Sequence, residues 1–490
     1  MIESLYLSYR WILQTPSVDC VIMGKQTWLA LKSCKHQNHE EKDRLSQLPH
    51  DVLMSIMSLF TIKEAAQTSV LSRTWNYFWR CFPILVFKDD FPTLHFVARN
   101  PLLLPEGRSN FTTMVNSVID SHRGLTIDKL RVIFDLDTSY ESDIDKWLAF
   151  ALAKQVKTLE LNFTPQVGRK VPLACRYTWP LESRWLSRGL HLSLASITSL
   201  CLKFVNVTDK DIECILLSCH ALESMRIVHG SFGLKNIIIS QTSLQLKHLE
   251  LSNCYLSCID IKAPKLVSLT LHGRPISLIV RDSLLSKVSI GNGFYRGEVV
   301  ASAYRNLSQY FTKLEYLSWH LCLCAFTRVN VKWNLGISKP PIMSNLKHLE
   351  LHVRAKGKES LLGWAYLIEE SPVLEKLTLK FSPYLLGCDV RVRNIVKRKG
   401  RPIKNLKTLQ HFGYLGLPID IEFATYVVEN SINLKDVIFT YQFTRPFRDP
   451  FREYARSHVF EFIKTLPQEV AFRFGKPANH CCFISTAPYA

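Results

Sequence analysis

The 490-residue sequence predicts an α/β chain with a three-helix unit near its N-terminus, a long solenoid of repeated strands behind it, and a C-terminal cap. Three observations predict this. Between residues 43 and 87, apolar side chains recur at helical spacing in three short runs. Beyond residue 130 an L-x-x-L-x-L pattern returns, with most copies starting roughly 20 to 30 residues apart. The chain then closes on one more amphipathic run and a short alternating one.

Residues 1–42 show no sustained period, end in the polar stretch "KSCKHQNHEEKD", and read as a poorly specified extension. Its Cys34, His36 and His39 lack a fourth metal ligand at suitable spacing, so they read as a solvated linker. The first helix begins near Pro49, with Asp51 in its first turn, where the helix dipole favours negative charge. Val52, Leu53, Ile56, Met57 and Phe60 then share one face. Thr61 and Glu64 have the spacing of a capping box, which starts a second helix. Ser72 can cap a third, in which Trp75, Phe78, Trp79 and Phe82 fall on one stripe before Pro83 stops it. Three amphipathic helices in so few residues bury little by themselves. Their surplus apolar surface needs a cover, from the rest of the chain or from a partner.

The stretch "RLSQLPHDVLMSIMSLFTIKEAAQTSVLSRTWNYFWRCFPILVF" resembles the F-box of plant F-box/leucine-rich-repeat proteins. The likeness lies in the "LP" start, the apolar first helix, the "TSVLSRTW" stretch and Trp79. His50 departs from it, standing where plant members commonly carry an acidic residue. The resemblance implies an F-box over 43–87 that docks on a Skp-type adaptor, and through it on a cullin ubiquitin ligase. The contact residues would be Leu48, Pro49, Val52, Leu53, Ile56, Leu71 and Trp75.

Residues 88–129 form a connector in which Phe111, Met114, Val115, Val118 and Ile119 line one helical face. The repeats occupy 130–440. Clear copies start at Leu246, Leu266, Leu346 and Leu374, and weaker ones at Val156, Ile197, Leu222, Leu285, Leu314, Leu406 and Leu434. In each, the last two apolar positions alternate along a short strand and point inward. One repeat cannot bury its own leucines, so neighbours must stack as a leucine-rich solenoid. Residues 441–490 form the cap, similar to the FBD ending of the same plant family. Asp449 and Pro450 start a helix that buries Phe451, Tyr454, Ala455, Val459, Phe462 and Ile463. A strand follows, with Val470, Phe472 and Phe474 on one face.

Composition narrows the function. A formal charge of +19 favours acidic partners without naming one. The 14 cysteines contain no CxxC pair, which fits a reducing compartment, nucleus or cytoplasm. No apolar run is long enough to span a membrane. The sequons at Asn110, Asn162, Asn206 and Asn306 read as chance. No nucleotide, zinc or hydrolase motif is present, so no cofactor and no catalysis are expected. Cys219 beside His220, and Cys254 with Cys258, read as packed repeat residues.

Side chains between the buried leucines must project from the sheet. Glu160, Lys203, His248, His272, His320, His348, His352, Lys380 and Phe412 belong to this outward set, with its histidines spread over separate repeats. Arg226, Glu250, Tyr316 and Glu350 belong to it too and are the candidate contacts for a target protein, with Tyr316 the aromatic anchor. The basic run "RVRNIVKRKGRPIK" could be a solvated loop, an import signal or an anion site. It has no aromatics between its charges for base stacking, which counts against nucleic acid. Three readings result: an F-box substrate receptor, a free scaffold, and a basic nucleic-acid-binding solenoid.

Overall fold

In the computed structural model the described residues are 48–88, 101–165, 171–180, 194–230, 233–240, 244–274, 276–291, 307–323, 342–355, 359–383, 395–440 and parts of 458–475. The N-terminal extension, Asn306, Arg391, Arg393 and the start of the cap helix, from Asp449 to Ala455, lie outside them. The chain divides into two compact units between Met225 and Arg226.

The first unit opens with α1 (His50–Met57), α2 (Ile62–Thr68) and α3 (Arg73–Arg80). Each begins where its local chemistry predicts. Pro49 precedes α1 in extended geometry. At α2 the Thr61 N–H donates to Glu64 Oε2 at 2.7 Å, and the Glu64 N–H returns a bond to Thr61 Oγ1 at 3.2 Å. Ser72 Oγ accepts the Trp75 N–H at 3.3 Å at the head of α3. Leu53, Met57, Ala65, Trp75, Phe78 and Phe82 form the small core between them.

The last residues of this segment do not remain helical or loop. Leu85 and Phe87 alternate inward at 1% and 2% exposure, so Ile84–Lys88 becomes strand β1. It pairs in parallel with β2 (Lys129–Ile133). Between them runs α4 (Leu104–Ser121), which buries Phe111, Val115, Val118 and Ile119. The predicted connector is therefore the crossover of a β-α-β repeat. Beyond β2, α5 (Glu141–Ala153) packs on α4 and leads to β3 (Thr158–Asn162) and β4 (Ser199–Lys203), each parallel to the strand before. Helix α6 (Asp209–Ser218) follows, and the division falls within β5 (Ser224–Val228).

In the second unit β7 (His248–Cys254), β9 (Ser268–Gly273), β11 (Lys287–Gly291), β12 (Tyr316–Cys322), β13 (His348–Ala355), β14 (Lys376–Pro383), β15 (Thr408–Phe412), β16 (Asp436–Thr440) and β17 (Ala471–Gly475) lie side by side, all parallel. Every repeat read from the sequence becomes a strand that starts two residues after its first apolar position, from Val156 and β3 to Leu434 and β16. Paired inward residues such as Leu249 and Leu251, Leu317 and Trp319, and Leu377 and Leu379 are sealed in the core.

A second sheet of β6 (Asn236–Ile239), β8 (Cys258–Lys262) and β10 (Ser277–Arg281) was not legible as repeats. Its strands are the return segments of the shortest repeats. They bury Ile237, Ile239, Ile259, Ile261, Leu278 and Val280 by alternation, where the longer repeats use α7 (Tyr366–Glu369) and α8 (Pro418–Asn430). At the end of the chain Val459 and Phe462 are buried, but Ile463, expected in the same stripe, is exposed. Phe439 gathers Phe462 and Phe472 at 5.2 and 5.4 Å between ring centres.

Candidate interaction surfaces

Helix α1 is only eight residues long, and its inward stripe is filled by Leu53 and Met57. The other apolar residues of the helical unit are left outside. Val52 is 41% exposed, Leu59 83%, Val70 50% and Leu71 61%. Pro49 is exposed, and Leu48 and Ile56 are half-buried beside them. Two of the expected contact residues do not belong to this surface. Leu53 and Trp75 are 1% and 3% exposed, turned into the helix core by the stripe that gives the unit its fold. His50 lays its ring edge-on to Phe78 at 4.8 Å.

On the repeats, register decides what meets. Parallel strands without slippage place equivalent residues of successive repeats about 4.8 Å apart, whatever their separation in sequence. Glu250, Thr270, Ser289, Ser318 and Glu350 fall in one such row. Arg226 Nε reaches Glu250 Oε2 at 2.5 Å, so two candidate target contacts neutralise each other. Tyr316 lies in the adjacent row, where its ring meets His348 edge-on at 5.0 Å. Glu350 is 8% exposed and is not the projecting group the sequence suggests. It accepts hydrogen bonds from Lys380 Nζ at 2.6 Å and from His352 Nε2. Burial alone would raise its pKa, but these donors hold it down at about 2. Burial and the Glu350 charge together push the Tyr316 phenol up to about 12.

The histidines are not dispersed. His272, Gly291, His320, His352 and Lys380 occupy one row across β9, β11, β12, β13 and β14. The His272 and His320 ring centres are 4.2 Å apart, and His320 stacks on His352 at 3.9 Å with planes 8° apart. His248 stands exposed elsewhere, and His348 Nε2 pairs with Thr378 Oγ1 at 2.9 Å. Among the described residues no group of histidines, cysteines or carboxylates is arranged to hold a metal ion.

Comparison with known proteins identifies both parts of the chain. A leucine-rich-repeat family described as "At1g61320/AtMIF1, LRR domain" matches residues 118–450, and the F-box domain matches residues 45–87. The chain belongs to the plant F-box/leucine-rich-repeat family. The F-box/FBD/LRR-repeat protein At5g53840 of Arabidopsis thaliana is 25% identical over 72% of this chain and 91% of its own length. The F-box/FBD/LRR-repeat protein At2g04230 of the same plant is 26% identical over 81% of this chain and 89% of its own length. The FBD-associated F-box protein At3g52670, also from Arabidopsis thaliana, is 27% identical over 44% and 50% respectively.

Other features of this F-box/leucine-rich-repeat chain have local partners. Its basic run is seated on α7 and α8. Arg398 donates to the Leu362 carbonyl at 2.6 Å and to Glu369 Oε1 at 3.1 Å, and it lies over the Tyr426 ring. Arg401 reaches Glu370 at 3.1 Å, and the Val396 N–H donates to the buried Glu422 at 2.7 Å. Lys397 and Lys399 stay exposed. Burial pushes the Cys219 and Cys254 thiols up to about 12, which keeps them protonated and poorly nucleophilic. Two sequon asparagines serve turns: Asn162 accepts from its own Thr164, and Asn206 donates to the Leu173 carbonyl. Among the described residues no helix is long and apolar enough to cross a membrane.

Proposed function

We propose that the chain is a non-catalytic substrate receptor of a Skp/cullin/F-box ubiquitin ligase, acting in the nucleus or cytoplasm. The observation that carries this reading is the apolar strip left outside a completed F-box core, with Val52 at 41% and Leu71 at 61% exposure. The adaptor covers Leu48, Pro49, Val52, Ile56 and Leu71, while Leu53 and Trp75 hold that surface in shape from behind. The repeats over 130–440 form a solenoid, closed by an FBD-like cap over 441–490, and their concave face takes the target protein. Tyr316 is its aromatic contact, set in position by Glu350. Ubiquitin transfer is the work of other subunits, and the receptor contributes proximity by raising the effective concentration of target at the transfer site.

Co-expression with a Skp-type adaptor tests the reading. Val52→Asp with Leu71→Asp is expected to abolish co-purification while leaving the melting temperature within about 2 °C of the parent, because exposed substitutions cost little stability. Full co-purification of a folded double variant would remove the adaptor from this surface. Arg398 and Arg401 of the basic run pair with Glu369 and Glu370, and the run's lack of aromatics between its charges counts against nucleic acid.

A further inference from the structure

The row from Ser252 to Lys380 forms one connected path, and the centre of that path depends on a glycine. A Cβ on Gly291 would sit 2.4 Å from the Cβ of His320 and 3.0 Å from Cδ2 of His272. Only the bare backbone of β11 lets the rings of the strands on either side meet across it. The ends of the stack are fixed by hydrogen bonds. Ser252 Oγ donates to Glu250 Oε1 at 3.3 Å, so at its 3.3 Å contact with His272 it acts as acceptor and the ring proton sits on Nδ1. His272 Nε2 is then free to accept the Ser289 hydroxyl at 3.0 Å. At the far end His352 donates to Glu350, which also holds Lys380.

Among the described residues the titratable and charged groups facing the stack are therefore Glu250 from β7, Tyr316 from β12, His348 and Glu350 from β13, and Lys380 from β14. Both carboxylates are already engaged, Glu250 by Arg226 and Glu350 by His352 and Lys380. Among the described residues neither His272 nor His320 has a carboxylate hydrogen-bonded to its ring, and a proton on His320 would sit between two other imidazoles with Lys380 close by. We propose that the His272–His320–His352 stack is an acid-sensitive latch on the outward face of the repeat strands, holding the repeats from β9 to β13 together while His272 and His320 are neutral and releasing them when acid charges those rings.

The electrostatics run the same way. Loss of surrounding water, with the His352 charge adding to it, lowers His272 to about 4. Loss of water, then His272, His352 and Lys380, lowers His320 well below its ordinary value. A group whose folded pKa is depressed binds its proton more readily in the unfolded chain. Its contribution to stability is therefore complete above the unfolded value near 6.5 and lost as pH falls toward the folded one. Across that window His272 and His320 each weaken folding by about tenfold per pH unit. The latch stands on the geometry of the stack and not on the adaptor or target reading.

Thermal unfolding of the full chain at pH 7.5, 6.5, 5.5 and 5.0 tests it, comparing the parent with His320→Phe. Phenylalanine keeps a flat ring in the stack but offers no proton acceptor. The parent is expected to lose stability steadily below pH 6.5, and His320→Phe to lose about tenfold less per pH unit while matching the parent at pH 7.5. Identical pH slopes in the two proteins would overturn the latch. Histidine Cε1–H resonances supply a second readout, with the signal missing from His320→Phe identifying His320. A His320 midpoint well below the ordinary value is expected, and one near the ordinary 6.5 would equally overturn the proposal. Gly291→Ala, which forces the rings apart, is expected to move that midpoint upward; an unmoved midpoint would show that the stack does not set it.

Discussion

The F-box helices and the repeats handle apolar surface in opposite ways. In the repeats the inward positions are almost completely sealed, as at Leu249, Leu317, Trp319 and Leu377, each 1% exposed or less. In the F-box a core just as dry at Leu53, Met57 and Ala65 sits beneath Leu59, Val70 and Leu71, each at least half exposed. The difference follows from architecture. A strand in a stack has a neighbour on each side to cover it, whereas three short helices have too few residues to enclose their own apolar side chains. Charge follows the same division. On the repeats Arg226 pairs with Glu250 and Lys380 with Glu350, so these four side chains spend their charge on one another.

Separating core from contact within the F-box produces the largest expected effect. Trp75→Ala should cost about 3–5 kcal/mol, because it removes a large side chain that is 3% exposed from a core with little else to fill the space. Adaptor binding should fall with it, as a consequence of lost structure. Val52→Asp with Leu71→Asp should lose binding at a stability change of about 0.5 kcal/mol or less per site. Urea unfolding alongside co-purification distinguishes the two. Equal destabilisation by both changes would mean that the exposed strip is packed in solution and that the contrast between the regions is false.

Much of this was readable before any coordinates, for identifiable reasons. Capping and periodicity are local, so the starts of α1, α2 and α3 stand where Pro49, Thr61 and Ser72 put them. The L-x-x-L-x-L pattern gives each repeat strand because one period-2 alternation suffices to define it. Return strands β6, β8 and β10 lacked that frame, since a short apolar run such as "NIII" shows no alternation in sequence, and its alternate burial appears only in the fold. Which outward residues meet was invisible, because it depends on strand order and register. His272, His320 and His352 look dispersed in sequence; His320 and His352 meet because β12 and β13 pair in register, and His272 reaches His320 only because Gly291 clears the space between them. In the other direction, the motif that marked Leu53 and Trp75 as adaptor contacts could not say which side of a helix they face.

An intermediate effect is expected from the neutralised charges of the repeat face. Glu350, held at about 2, contributes stability that is complete above its ordinary value of 4.5 and lost as pH falls from there toward 2. The contribution is roughly 2–3 kcal/mol, reduced from the full shift because Lys380 and His352 remain partly solvated. Glu350→Gln should remove it, giving a variant weaker than the parent at pH 7 and nearly equal to it at pH 2. This acid loss begins only near pH 4.5, so a urea midpoint at pH 5.5 reads the histidine stack with Glu350 still charged, and one at pH 3 adds the Glu350 loss. If Glu350→Gln is as stable as the parent at pH 7, the cluster does not stabilise the repeats and Glu350 returns to the set of available target contacts.

The smallest expected effect compares one local device used in both settings. Thr61 caps α2 in the F-box with Glu64, and Thr208 caps α6 in a repeat with Asp211. In both boxes the threonine hydroxyl accepts an N–H and the acid accepts the threonine N–H. Glu64 is exposed, so water replaces what Thr61→Ala removes, and the expected cost is about 0.5–1 kcal/mol. Asp211 is 2% exposed, and its Oδ2 also accepts the Thr208 hydroxyl at 2.7 Å. Burial already raises the pKa of this carboxyl, and Thr208→Ala would strip away one of the donors that oppose the rise. That change should cost about 2 kcal/mol, near the upper end for a cap, because water cannot reach the buried oxygen to replace the lost bond. Urea titrations of the two single variants at pH 7 measure the difference. Equal costs would mean that the sealing of the repeats does not amplify the loss of a polar contact, and that the two regions differ in apolar surface alone.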